Sequence, residues 1–311
     1  DYTVSATDDT GCTAFQDVTV TANAELTLDQ TIVDNLCYGG TAGMATITVN
    51  GGTAPFDIGW TDAFGNVLQV NLANNGTASL DSLAAGNYLV GAQDQNGCMA
   101  TAMITITEPA TPLQMNLTPQ DLSCFESGDG QVAASQNGVS PFLYEIADVF
   151  GNPVESTTNA GNYTFLGLDA GIYFVTITDN QGCETIDNVE LFEPDELEVE
   201  TDMSPVLCFN GNQGVAQIIQ VTGGTTPYGQ TSWDDPLNQT GNTATGLSPG
   251  TYTATVVDAN GCETEAQFLF DNPPQLMLTG SYLTDTCGQG KGAAVIYAEL
   301  GTPPYTYLWK P

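Results

Sequence analysis

The sequence predicts an all-β protein, a tandem array of small two-sheet sandwich repeats of about 80–87 residues each. Three observations predict it. One cassette is written four times: Tyr2, Asp8, Gly11 and Cys12 recur as Tyr88, Asp94, Gly97 and Cys98, as Tyr173, Asp179, Gly182 and Cys183, and as Tyr252, Asp258, Gly261 and Cys262. The step from one cassette to the next is too long for a solenoid turn and is matched to a small folded domain. Between cassettes the chain alternates apolar and polar residues, with β-branched residues enriched, and carries no helical period.

The register divides the chain. Asp1–Cys12 aligns with Asn87–Cys98, and Cys287–Trp309 aligns with Cys37–Trp60. The expected organisation is therefore the end of one repeat (1–24), three whole repeats (25–109, 110–194 and 195–273) and the start of another (274–311), a window on a longer protein. In each repeat a cysteine (Cys37, Cys124, Cys208, Cys287) follows the first strand. Met44–Asn50 alternates as the second strand, and Val215–Val221 and Ala293–Tyr297 take its place in later repeats. A Gly-rich turn then leads to a Pro-aromatic pair: Pro55-Phe56, Pro141-Phe142, Pro227-Tyr228 and Pro304-Tyr305. Five residues after that Pro stands Trp60 or Trp309; the second repeat has Ile146 there, and the third has Trp233 one position late, which predicts a bulge. Phe64–Asn66 and Phe150–Asn152 mark a turn into the fourth strand, and the fifth ends at Leu83, Leu168 or Leu247. The Tyr strand follows, then a tight Asp-x-Asn/Gln-Gly hairpin, then a last strand running to Glu108-Pro109, Glu193-Pro194 or Asn272-Pro273. Seven short strands, a Trp on the third and a Tyr opening the sixth are the pattern of an immunoglobulin-like sandwich with its tyrosine corner. Repetition of the aromatics at one position assigns them to packing.

Charge removes whole classes of function. The chain has 37 acidic residues, two lysines (Lys291 and Lys310), no Arg and no His, for a net charge of −35 spread over every repeat. A phosphate backbone or an anionic membrane surface needs cationic partners that are absent here, so nucleic acid and membrane binding are excluded. No apolar run approaches the ~18 residues of a membrane-spanning helix. Without His there is no Ser–His–Asp or Cys–His arrangement and no imidazole ligand for zinc. The three whole repeats lack lysine, which also removes Schiff-base chemistry and Lys–Asn isopeptide crosslinks. No acidic pair stands out from the repeat as a glycosidase pair would, so catalysis is not expected. The acidic surface reads as a solvated coat. Asp94, Asp179 and Asp258, at the hairpin before the second cysteine, are candidate Ca²⁺ ligands, unless each carboxylate caps its own turn. No other cofactor is expected.

The run Cys37-Tyr-Gly-Gly, the pair Gly51-Gly52 with Thr53-Ala54-Pro55-Phe56 and Trp60, then Leu83-Ala-Ala-Gly-Asn-Tyr88, Asp94-Gln-Asn-Gly-Cys98 and Glu108-Pro109 resembles SprB repeats. The partial fourth copy agrees, with Cys287-Gly288 and Gly301-Thr-Pro-Pro-Tyr-Thr-Tyr-Leu-Trp309; the second repeat departs from it at Asn137-Gly138 and Ile146. The resemblance implies a giant cell-surface adhesin of gliding Bacteroidota, exported by the type IX secretion system and displayed outside the cell. It implies adhesion, surface motility or filament formation, with other copies of the same chain as partners and with a distal adhesive tip and a cell-surface anchor outside these residues. Two function classes follow. Either the array is a non-catalytic stalk or filament, or each repeat binds a ligand such as a glycan and gains avidity from copy number. The stretch from first to second cysteine shortens along the array, from Cys37–Cys98 through Cys124–Cys183 to Cys208–Cys262. This drift favours the stalk, because identical ligand sites would tolerate less variation.

Eight regularly placed cysteines in a chain that resembles exported proteins argue for disulfides over free thiols or zinc. Strand parity argues against pairing within a repeat. Cys37 follows the first strand, at the end where the chain exits, while Cys98 lies five strands later at the opposite end. Six-residue strands span roughly 20 Å, whereas a cystine spans about 4.4–6.8 Å between Cα atoms. Two junction-spanning schemes stay open: Cys37–Cys183 with Cys124–Cys262, or the linker-flanking Cys98–Cys124. The flanking spacing is nearly constant from Cys12 to Cys37, Cys98 to Cys124, Cys183 to Cys208 and Cys262 to Cys287, and it suits both schemes.

Overall fold

The structure, a computed structural model, describes residues 1–22, 24–73 and 75–310. The described residues are all-β. The first whole repeat holds β3 (Thr27–Val33), β4 (Gly43–Asn50), β5 (Phe56–Asp62), β6 (Val67–Ala73), β7 (Thr77–Leu83), β8 (Gly86–Gln93) and β9 (Met99–Ile106), preceded by a hairpin of β1 (Tyr2–Thr7) and β2 (Thr13–Val18). The second holds β10 (Met115–Gln120), β11 (Gly130–Gln136), β12 (Phe142–Asp148), β13 (Pro153–Asn159), β14 (Tyr163–Leu168), β15 (Gly171–Thr178) and β16 (Glu184–Leu191). The third holds β17 (Glu198–Ser204), β18 (Gly214–Thr222), β19 (Ser232–Trp233), β20 (Thr243–Leu247), β21 (Gly250–Val257) and β22 (Glu263–Phe270). A second hairpin, β23 (Met277–Leu283) with β24 (Ala293–Glu299), follows.

Each repeat is two antiparallel sheets. In the first, β3-β4-β7 face β6-β5-β8-β9; in the second, β10-β11-β14 face β13-β12-β15-β16. This is an immunoglobulin-like sandwich in which the fourth strand joins the sheet of the third, sixth and seventh. Alternation makes the core. Gly43, Ala45, Ile47 and Val49 of β4 point inward while their neighbours along the strand face outward. They meet Ile58, Trp60, Val90 and Ile104 from the opposite sheet, all four wholly buried. The second repeat lacks the Trp and builds its core around Tyr144, Ile146 and Phe165 instead, with the Tyr144 hydroxyl donating to the Gly161 carbonyl at 2.6 Å.

The third repeat departs from the other two. Trp233 is buried and pairs across from Ala254, eight residues before Cys262; Trp60 pairs across from Val90, also eight residues before its cysteine. The Trp therefore keeps its place in the core. The additional residue falls between Gly229, whose N–H donates to the Val257 carbonyl, and Ser232, which pairs with Thr255, so two residues stand opposite one as the expected bulge requires. The third strand shrinks to two residues, and the repeat has a three-stranded second sheet, β19-β21-β22. The tyrosine corner forms in all three repeats: Tyr88, Tyr173 and Tyr252 donate to the carbonyls of Ala84, Asp169 and Ser248, four residues upstream, at 2.9, 3.0 and 3.1 Å.

The hairpin β23–β24 continues into residues 304–309 without sandwich partners among the described residues, and Trp309 is 62% exposed where Trp60 is wholly buried.

Candidate functional site: the linked repeat junction

Where one repeat meets the next, two short loops carry the cysteines. The first cysteine sits between the first two strands, in a loop tied to its own repeat at several points. Asn35, buried, donates from Nδ2 to the Leu83 carbonyl at 3.0 Å and accepts from Gly43 N at 2.8 Å. Asp34 accepts from Thr107 N and Asp121 from Phe192 N, at 2.7 and 2.9 Å. The residue before the closing Pro of each repeat reaches back to the same loop: Glu108 accepts from Gly39 N, Glu193 from Glu126 N, and Asn272 from Asn210 N, at 2.7–2.9 Å. These bonds fix the first cysteine at the end where the chain leaves the repeat. Their sequence signal was the constant Glu/Asn-Pro at each repeat end, which marks a strand terminus but does not reveal the latch.

The second cysteine sits in the hairpin between the sixth and seventh strands, and the register-matched aspartate four residues earlier holds it there. Asp94 Oδ1 accepts from Asn96 N and Cys98 N at 2.9 and 2.8 Å, and its Oδ2 accepts from Thr53 N at 2.9 Å. Asp179 repeats this with Gln181 N, Cys183 N and Val139 N, and Asp258 with Asn260 N, Cys262 N and Thr225 N. The carboxylates press close to a glycine turn. A Cβ on Gly52 or Gly224, both at positive φ, would lie 3.1 or 2.9 Å from the Asp94 or Asp258 Oδ2. Burial opposes ionisation of Asp94, but the N–H groups of Cys98, Thr53 and Asn96 outweigh it and hold the carboxyl below its ordinary range. Asp258 behaves in the same way, with burial offset by Thr225, Cys262 and Asn260.

The three candidate calcium ligands thus stand in rings of N–H donors, each carboxylate capping its own hairpin and latching it to the preceding glycine turn. Among the described residues no group of three or more Asp, Glu, Cys or His side chains converges as a metal site would.

Cys37 is bonded to Cys183 and Cys124 to Cys262, with Cα separations of 5.4 and 5.7 Å, inside the ordinary cystine range. Each first cysteine therefore joins the second cysteine of the following repeat. The linker-flanking pair Cys98–Cys124 does not form, because Cys124 is engaged with Cys262 and Cys98 is a free, exposed thiol. The two junctions share local geometry: the Cys183 sulfur lies 3.4 Å from the Leu36 carbonyl oxygen, and the Cys262 sulfur 3.3 Å from that of Ser123. At the second junction Asn260 Nδ2 also donates to the Ser123 carbonyl at 2.9 Å, a direct polar contact between repeats. At the first, a cavity of about 130 Å³ is lined by Leu36 and Tyr38 from one repeat and by Pro112, Leu113 and Val139 from the next. Beside Cys124, the hydroxyls of Ser123 and Ser127 and the Ser123 N–H hold the Asp129 carboxyl at about 2.

One surface feature recurs away from the junctions. Asp62 and Asp148 cap the turn between the third and fourth strands, accepting from the backbone N–H groups two and four residues on. That turn lifts Phe64 and Phe150 into solvent, 91% and 86% exposed, and Asp235 does the same for Leu237, 74% exposed. One apolar side chain stands out at this place in each whole repeat.

Residues 30–63 match the family model of the SprB repeat. No curated protein matches the chain. Among solved structures, an I-band fragment of titin is similar over 81% of this chain and 99% of its own, with 15% identity and a TM-score of 0.40. Three N-terminal domains of the bacteriophage RB49 Highly Immunogenic Outer Capsid protein match over 81% and 99%, with 12% identity and a TM-score of 0.37. The N-terminal eight Ig domains of Down Syndrome Cell Adhesion Molecule match over 86% and 39%, with 14% identity and a TM-score of 0.34. The fold assignment rests on the strand order and sheet pairing described above.

Proposed function

We propose that this chain, which carries an SprB repeat at residues 30–63 within a tandem array of immunoglobulin-like sandwiches, is a non-catalytic stalk or filament segment of an extracellular cell-surface adhesin. The observation that carries the proposal is the pair of cystines, each joining one sandwich to the next rather than closing a repeat upon itself. A cystine within a domain supports that domain alone; a cystine between domains restrains their relative motion, which serves a spacer and has no use in an independent binding module. Disulfides persist in oxidising compartments, in keeping with display outside the cell. A uniform charge of −35 keeps a long array soluble and discourages collapse of one repeat on another. Type IX export, attachment or surface motility, and lateral partnership with other copies of the chain belong to the same reading. Immunogold labelling of intact, unpermeabilised cells, combined with negative-stain imaging of the purified chain, tests it. Surface labelling and extended threads are expected; labelling only after permeabilisation, or compact particles, overturns it.

A second reading has one observation in its favour, the exposed Phe64, Phe150 and Leu237 at equivalent turns. As weak ligand contacts they would gain from copy number. Replacing all three by Ser is expected to leave the melting temperature unchanged; loss of retention on a glycan surface in that variant would favour the binding-module reading.

A further inference from the structure

The two cystines interleave. In chain order the bonded residues run Cys37, Cys124, Cys183, Cys262, and the links join the first to the third and the second to the fourth. They shorten the covalent path from one distant cysteine to another. From Cys12 the backbone runs to Cys37, crosses to Cys183 and runs on to Cys208. From Cys98 it runs to Cys124, crosses to Cys262 and runs on to Cys287. Each of these four arms is short, and each cystine skips a sequence separation of 146 or 138. The paths therefore replace main-chain stretches about fourfold longer, from Cys12 to Cys208 and from Cys98 to Cys287.

These paths are already drawn out in the folded protein. Between Cys98 and Cys124 lie the last strand of one repeat, β9, a linker, and the first strand of the next, β10; between Cys183 and Cys208 lie β16 and β17. Extended backbone advances at most about 3.3–3.6 Å per residue, and strands stand near that limit. The middle strands of the sandwiches, including those that carry Trp60, Tyr144 and the tyrosine corners, lie off these paths.

We propose that the interleaved cystines make the array a tether of fixed maximum length, in which tension runs along two covalent tracks, Cys12–Cys37–Cys183–Cys208 and Cys98–Cys124–Cys262–Cys287, and bypasses the middle strands of each sandwich. Unfolding a repeat then releases almost no length, and a core that melts under load stays closed within its loop and refolds in place. Of the four thiols outside the two cystines, Cys12 and Cys98 are second cysteines and Cys208 and Cys287 first cysteines. The biological use of this property rests on the stalk reading, whereas the property itself rests on connectivity alone.

The test is single-molecule stretching of the full chain carrying Cys98→Ser and Cys287→Ser, with handles on the exposed thiols of Cys12 and Cys208. The track between the handles holds about 50 residues, so at about 3.4 Å per residue the oxidised chain is expected to stop extending at roughly 170 Å. It should stop there even at forces that unfold every repeat. Adding Cys37→Ser and Cys183→Ser leaves only the Cys124–Cys262 link, and the shortest path then runs from Cys12 to Cys124 and back from Cys262 to Cys208. That variant should reach roughly 560 Å, and the fully reduced chain roughly 670 Å, about fourfold longer than the oxidised one. An oxidised chain that extends beyond about 170 Å toward about 670 Å overturns the proposal. So does titration of all eight cysteines as free thiols in unreduced protein. Failure of the stalk reading, by contrast, would leave these three lengths unchanged.

Discussion

At the scale of single residues, the aspartate four positions before each second cysteine does the most with the least. Asp258 presents two oxygens to three backbone N–H groups, and so closes its hairpin, ties it to the Thr225 turn and sets the direction of Cys262. Asp258→Ala is expected to lower stability by about 2 kcal/mol, the order for N–H groups left without acceptors, read as a shift in urea midpoint, and to slow formation of the Cys124–Cys262 bond after reduction. Asp129 offers a pH signature. Its folded-state value of about 2 lies below the ~3.9 of an unfolded aspartate. A depressed carboxyl contributes stability that is full above its unfolded value and is lost as pH falls through the folded one. The melting-temperature difference between the wild type and Asp129→Asn should therefore be present at pH 7, shrink from about pH 4 and close near pH 2; a difference that persists below pH 2 would contradict the hydrogen-bonding role of Ser123 and Ser127.

At the scale of elements, the three repeats solve one packing problem in three ways. The first centres its core on Trp60, the second replaces it with Ile146 supported by Tyr144 and Phe165, and the third keeps Trp233 while losing regular strand around it. The Trp233 Nε1–H donates to the Gly241 carbonyl at 2.8 Å, whereas the buried Trp60 Nε1 has no partner among the described residues. The two-residue β19, with no fourth strand beside it among the described residues, leaves the third repeat with fewer ladder bonds in this region. Amides of residues 229–242 should exchange with deuterium faster than those of 56–73, since local opening follows the density of protected backbone bonds. Equal protection in the two segments would show that side-chain bonds such as Thr231 to Asn242 compensate fully.

At the scale of the whole molecule, two long-range terms oppose each other. A charge of −35 with only two lysines pushes the repeats apart, and the cystines restrain them. Raising salt from about 20 mM to about 500 mM shortens the screening length several-fold, so the melting temperature of the oxidised chain is expected to rise across that range. No response to salt would mean that the carboxylates are too dispersed to repel. Reduction should act in the opposite sense, each cystine adding about 2–4 kcal/mol by restricting the unfolded chain, so that the reduced protein melts lower and depends more steeply on salt.

The sequence by itself determined the repeat, the order of its strands, the tyrosine corner and the case against joining Cys37 to Cys98, because each of these is written in local pattern and spacing. Alternation specifies which face of a strand is buried, and counting strands specifies at which end of a sandwich a loop emerges. The partner of Cys124 was not written there. The stretch from Cys98 to Cys124 is long enough for a hairpin linker and for an extended one alike, and only the three-dimensional approach of consecutive repeats, 5.7 Å between Cys124 and Cys262, decides between them. The late position of Trp233 predicts a bulge but not where it falls; pairing with β21 puts the additional residue between Gly229 and Ser232 and keeps the ring in the core. Spacing along a chain limits which atoms can meet; the closure of a core and the contact of one domain with the next select among the meetings it allows.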